Sequence, residues 1–321
     1  NKQLESTIAG LQKTLGDQKE LASTIAAAVT AAQPFRRVPW KRPGRAGSPV
    51  IAVLKVSDWH IGERIERAET EGFGSYNWRT AQARLFGIVR AFLKWVDTQR
   101  SGYRIDECAV FAEGDYISGD IHRELSVTNE FPIPVQTANA GQLLGEALAM
   151  LAAHFGHVTA YEVGADNHGR LQPKPQFKQK AQNSMSYLVH FIANSYVRKI
   201  RNIEPVVAEG IKYLANVAGW KFLIEHGDTV KAWMGIPYYG LERERGREAV
   251  RRMNGSRGFH YQSIAHWHVP GWVAGNILVN GSLSGTNEFD HGCGRHSPPA
   301  QVAFLVHPRH GVFNLTPFRM K

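Results

Sequence analysis

The order of apolar and polar runs predicts an α/β fold: a four-layer α/β/β/α sandwich of two packed mixed sheets, preceded by a helical extension. Two observations carry that prediction. From Val50 onward, short β-branched runs alternate with longer amphipathic stretches, and the last third turns to strands joined by tight polar turns. Five of the runs also end in Asp, Asn or His, and open α/β sheets keep their sites at the carboxyl tips of strands.

With 321 residues the chain can form one large domain or two smaller ones around a well-buried core. A hydrophobic content of 43% fits a globular protein. No apolar run approaches the ~20 residues of a membrane span, and no secretory leader is visible. The first residue is Asn, which leaves an upstream segment open. Cys108 and Cys293 are the two cysteines and lie far apart, so a reducing cytoplasmic setting is expected and a disulfide framework is not. The formal net charge of +10 favours a polyanionic partner, nucleic acid above all.

Residues 1–32 read as a helix. Leu4, Ile8, Leu11, Leu15, Gln18, Ala22, Ile25 and Val29 alternate spacings of four and three, the seam of a short coiled coil. Such a helix either joins copies of the chain into a homo-oligomer or packs on its own body. Pro34 stops it, and residues 33–49 form a linker carrying Arg36, Arg37, Lys41, Arg42 and Arg45 around Trp40, with no acid. That pattern suits a phosphate backbone with a base to stack on, or a solvated linker.

Strands are predicted over 50–57, 108–113, 158–163, 220–225 and 261–265, then 276–280, 302–306 and 312–315. Helices are predicted near 78–99, 136–154, 179–200 and 239–253. The first strand leads into Asp58-Trp-His60, the second into Gly114-Asp115, the third into Asn167-His168, the fourth into His226-Gly227, and the fifth into His266-Trp-His268. Were the last segment to stay extended, both imidazoles would point to one side. Any single tip has a plain explanation, a capped turn or a satisfied histidine; five in succession do not.

The ordered set Asp58-x-His60, Gly114-Asp115, Asn167-His168, His226-Gly227 and His266-x-His268 resembles the calcineurin-like metallophosphoesterase superfamily. Asn280-Gly-Ser-Leu283 is similar to a turn that follows the last block in many members. The resemblance covers residues 58–268, about two thirds of the chain, and makes 50–321 the metallophosphoesterase domain. It implies two divalent ions, manganese first, with iron or zinc as alternatives. Asp58, His60 and His268 would hold one ion, Asn167, His226 and His266 the other, and Asp115 would bridge both. Carboxylate, imidazole and amide ligands suit such ions better than calcium. The implied reaction is in-line attack on phosphorus by a metal-bridging hydroxide, with His168 as the acid that serves the leaving group.

Two departures stand out. Gly169 follows His168 where an acid is usual, and whether Asp166 substitutes is left open by the sequence. Trp267 separates the last two ligands and would either pack in the core or wall a pocket.

Ser57-Asp-Trp-His-Ile-Gly62 is similar to the first block of bacterial and phage DNA-repair exonucleases of this superfamily. Arg170, Lys174, Lys178 and Lys180 follow His168 without an acid, and Arg243, Arg245, Arg247, Arg251, Arg252 and Arg257 form a second basic group, offset by Glu242, Glu244 and Glu248. The expected substrate contacts are Arg123, Arg170, Lys174 and His122. The leading expectation is a nuclease, with DNA ahead of RNA. The alternatives are an enzyme of small nucleotides and a nucleic-acid-binding scaffold with a vestigial metal site.

Overall fold

The computed structural model describes residues 47–320 apart from Pro173, Met234, Gly235 and Ser256. The expected 1–32 helix and nearly all of the 33–49 linker lie outside the described residues. Eleven strands and six helices are found among those described. They run β1 (Pro49–Val56), α1 (Trp78–Gln99), β2 (Arg104–Ala112), α2 (Arg123–Thr128), α3 (Ile133–Ala152), β3 (His157–Glu162) and α4 (Met185–Val197). There follow β4 (Ile203–Val207), β5 (Lys212–Val217), β6 (Trp220–Glu225), α5 (Pro237–Arg251), β7 (Tyr261–Ile264) and β8 (Gly271–Val273). The last are β9 (Ile277–Val279), α6 (Glu288–Gly292), β10 (Ala300–His307) and β11 (Gly311–Arg319).

One sheet has the order β11-β10-β1-β2-β3-β4 and the other β5-β6-β7-β9-β8. Both are mixed. β1, β2, β3 and β4 are parallel, and β10 and β11 join antiparallel. β6, β7 and β9 are parallel, with an antiparallel strand at each side.

Because successive side chains point to opposite faces, each central strand divides its residues between two apolar clusters. Leu54, Val110 and Leu305 join the helices α1, α3 and α4. Val53, Phe111 and Phe304 turn the other way and meet Phe222 and Ile224 of the second sheet. Burial on both faces explains why these strands read as unbroken apolar runs. α5 covers the far side of the second sheet through Leu241, which packs with Val230, Ile264 and Ile277.

Helix α1 matches its expected span because its signals are complete. The Asn77 side chain accepts from the Thr80 N–H at 2.9 Å, an N-cap, and Leu85, Ile88, Phe92 and Val96 form one buried stripe. Helix α4 starts at Met185, later than residue 179, where the Ser184 hydroxyl caps the Ser186 N–H. No helix among the described residues is long and apolar enough to cross a membrane.

The sheets are also tied by a buried polar group. Lys55 Nζ donates to the carbonyls of Ile264 at 2.9 Å and Leu278 at 2.5 Å, and lies 3.3 Å from the Glu113 carboxylate. Glu113 accepts from the Ser263 hydroxyl. This group lies at the base of the loops that leave β2 and β7.

Candidate metal centre

Five strand tips of the two sheets deliver one cluster of ligand-type side chains. Asp58, His60, Asp115, His266 and His268 all have positive φ, between 48° and 68°. Left-handed backbone is costly for residues with a Cβ and concentrates where function holds it in place. Here it turns each side chain off the end of its strand toward the gap between the sheets. The His-x-His segment does not stay extended: β7 ends at Ile264, both histidines have left-handed backbone, and His266 and His268 fall in different ligand sets.

Three sets of ligand atoms lie within 4.8 Å of one another: Asp58, His60 and His268; Asp115, His226 and His266; and His60, Asp115 and His168. Asp115 belongs to two of them. Within the first set, His60 Nε2 is 3.2 Å from His268 Nε2, which is 3.4 Å from Asp58 Oδ1. Within the second, His226 Nε2 is 3.0 Å from both Asp115 Oδ2 and Asn167 Oδ1. Two ligand atoms about 2.1 Å from one ion, subtending roughly 90–110°, stand about 3.0–3.4 Å apart. The separations are those of neighbours around a shared cation.

The donor chemistry agrees. His226 Nδ1 lies 2.8 Å from the Glu113 carbonyl, which can only accept, so its proton sits there and the Nε2 lone pair faces Asn167 Oδ1 and Asp115. Asp115 Oδ2 is buried and accepts no hydrogen bond. Three acceptors converging with no donor is an arrangement a divalent ion satisfies. Without one, protons take its place. Burial opposes charge on His226, yet the Asp115 carboxylate holds its pKa well above the usual value. Burial likewise opposes charge on His268, yet its bonds to Asp290 and Asp58 raise it to about 10. Burial lowers His266 to about 4 and His60 well below its usual value, leaving both neutral as ligands must be.

Supporting residues hold the carboxylates. Ser57 Oγ donates to Asp58 Oδ2 at 2.6 Å and accepts from Asn280 Nδ2 at 2.8 Å. The Asn280 turn thus acts through Ser57 rather than as a ligand. Gly114, at φ 86°, lets the chain pass Asp166 closely, since a Cβ there would stand 2.9 Å from the Asp166 Cβ. Asp166 does not reach the His168 ring. It accepts from the Asp115 N–H at 2.7 Å and from Ser184 and Ser186. The His168 ring is oriented by the Ser118 carbonyl, 2.7 Å from Nδ1.

The cluster opens into a cleft of about 340 Å³. His122 and Trp267 line it, and Trp267 also packs against the α5 cluster, so it is both wall and core. The other expected substrate contacts sit elsewhere. Arg123 opens α2 with its side chain exposed, away from the cleft lining. Arg170 and Lys174 line a neighbouring hollow with Asp166 and Asp228. The cation that does line the cleft is Arg295, with its guanidinium over Phe289, 5.4 Å from the ring centre. Glu63, Asn287 and Asp290 complete that wall. Sequence reasoning missed them because short α6 and its flanks show no periodicity, although Glu63 stands only three residues past His60.

No protein-family model and no curated protein matches the sequence. Solved structures do match. One is described as a novel archaeal phosphodiesterase: 8% identity over 83% of this chain and 99% of that one, TM-score 0.36. Another is vacuolar protein sorting 29 from Cryptosporidium parvum: 13% identity, 84% and 99% coverage, TM-score 0.34. A third is the same protein from Entamoeba histolytica, complexed with zinc: 12% identity, 84% and 98% coverage, TM-score 0.33. At such values these likenesses carry no argument about activity.

Proposed function

We propose that this chain is a metal-dependent phosphodiesterase of the calcineurin-like metallophosphoesterase type, acting on nucleic acid, with DNA ahead of RNA. The observation that carries the reading is the pair of ligand sets, Asp58/His60/His268 and Asp115/His226/His266, with ligand atoms 3.0 to 3.4 Å apart and a third set, His60/Asp115/His168, linking them. Two divalent ions, manganese first, would supply an acidified water and neutralise charge on a phosphoryl group. Asp58, His60 and His268 would hold one, Asn167, His226 and His266 the other, with Asp115 shared. His168, with Nδ1 committed to Ser118, keeps Nε2 to carry a proton to the leaving oxygen. Arg295 is placed to bind a phosphate oxygen, and Trp267 and Phe289 give the cleft two apolar lining groups.

The test is incubation of metal-stripped protein plus Mn²⁺ with end-labelled single- and double-stranded DNA, with Asp115→Asn as control. Cleavage by the wild type alone is expected. Turnover of bis(p-nitrophenyl) phosphate with no cleavage of DNA or RNA would move the substrate to a small phosphodiester. One observation favours that second reading: the cleft adjoins a groove lined by Glu63, Glu66, Glu69, Glu124, Glu130 and Glu288, which repels a polyanion.

A further inference from the structure

The two flanks of the metal site differ in charge and in surface chemistry. On the α2 and α6 side, the acidic groove carries one arginine, Arg64, already 2.6 Å from Glu66. The other flank is built from the segments that leave two of the ligand tips. Residues 170–180 follow Asn167 and His168, and residues 228–247 follow His226. Lys180 binds Asp228 at 2.5 and 2.6 Å, joining the two segments beside a hollow that Asp166, Arg170 and Lys174 also line.

This flank is basic in the sense that matters for binding. Residues 170–180 contain no acid, and 231–247 contain only Glu242 and Glu244. Glu244 is drawn away to Lys212, at 3.0 Å, and Glu248 pairs with Lys212, Arg251 and Arg252. The salt-bridged face suggested by the arginine-glutamate pattern therefore forms at the end of α5 and toward β5. Lys174, Lys178, Lys231, Arg243 and Arg247 are exposed and make no ion pair among the described residues.

Aromatic rings are exposed among those cations. Trp233 is 62% and Tyr239 58% exposed, with ring centres 6.2 Å apart, and Arg243 lies over Tyr239 at 5.8 Å. Phe177 and Tyr238 are exposed as well. A duplex hides its base faces, whereas a single strand offers them, so cations interleaved with exposed rings match single-stranded nucleic acid.

We propose that single-stranded nucleic acid reaches the metal site along the 170–180 and 231–247 flank, stacking bases on Trp233 and Tyr239, and avoids the acidic flank. The inference rests on the phosphodiesterase reading above and names the surface that makes a polymer the substrate.

The test is fluorescence anisotropy of a labelled oligothymidylate, and of a duplex of equal length, on the Mn²⁺-loaded full chain carrying His168→Ala to slow cleavage. In that background Trp233→Ala and Tyr239→Ala should each weaken single-strand binding roughly five- to a hundred-fold, the span expected when one base no longer stacks. Lys231→Ala with Arg243→Ala should lower the slope of log affinity against log salt by about 0.7 for each phosphate no longer neutralised. Glu69→Gln on the opposite flank should leave affinity unchanged or slightly raised. The side chains substituted on the two flanks are exposed, so their replacement does not put the fold at stake. Single-strand binding unaffected by the aromatic variants, or a preference for duplex, overturns the proposal while leaving the nuclease reading intact. A parent protein that neither binds nor cleaves any nucleic acid overturns both, and does so before any flank variant is made.

Discussion

His168 Nδ1 stands 2.7 Å from the carbonyl oxygen of Ser118, which fixes the imidazole tautomer without a carboxylate partner. The Ser118 N–H in turn donates to the Ile61 carbonyl at 3.0 Å, so the loop orienting His168 is sewn to the one carrying Asp58 and His60. The sequence departure after His168 thus leaves the ring held by backbone. His168→Ala should lower turnover by about 10²–10⁴-fold, the range for removal of an acid–base group. Metal content measured by atomic emission should stay at the wild-type level. A variant turning over at the wild-type rate would place the acid elsewhere.

Asp115 belongs to two of the three sets of ligand atoms, one with His226 and His266 and one with His60 and His168. Its Oδ1 accepts from the His168 N–H at 2.9 Å while Oδ2 faces His226. Asp115→Asn preserves shape and the Oδ1 acceptor but removes the charge both ligand sets share. Loss of turnover is expected, with fewer ions bound per chain and an unchanged circular dichroism spectrum in the metal-free state. Full activity would sink the assignment of Asp115 as the shared ligand.

Most of the candidate ligand tips were legible in the sequence because they follow strands whose last residues are buried in succession, where Asp58, Asp115 or His226 stands out against an apolar run. The strands that were not read are all edges: β4 carries Pro205, whose missing N–H is tolerable only at an edge, and β5 and β8 bound the second sheet. Edge strands bury less and so carry weaker alternation. The left-handed backbone at His266 and His268 was illegible for another reason. Two histidines separated by one residue fit an extended segment equally well, and only the register of β7 against β6 and β9 ends the strand at Ile264. Arg295 was missed because charge near a ligand in sequence is a poor guide to charge near it in space.

Metal affinity should rise with pH. In the metal-free protein, carboxylate partners hold His226 well above its usual pKa and His268 at about 10, after burial has opposed both. These protons occupy positions that ions would take, so binding must displace them. Below those pKa values each displaced proton lowers affinity tenfold per pH unit. Calorimetric titration with Mn²⁺ between pH 6 and 8 in buffers of different ionisation enthalpy should report proton release on binding. An affinity independent of pH, with no proton release, would show that the two imidazoles are not ligands.

Glu162 is buried at the end of β3 and makes no ion pair among the described residues. Burial raises its carboxyl to about 8, opposed only by a 2.8 Å hydrogen bond from Asn194 Nδ2. Its Oε1 has no hydrogen-bond partner. A carboxyl whose folded pKa lies above its unfolded value favours the folded state below the unfolded pKa, and that advantage is lost as pH rises through the folded one. Between about pH 4.5 and 8 the wild type should therefore lose stability at up to about 1.4 kcal/mol per pH unit from this group alone. Glu162→Gln keeps the acceptor for Asn194 and removes the charge. Urea unfolding of the two proteins should give the variant a growing advantage from pH 5 to pH 8, reaching a few kcal/mol. Parallel stability curves would mean that Glu162 ionises freely in the folded protein, through a water or a cation that reaches Oε1.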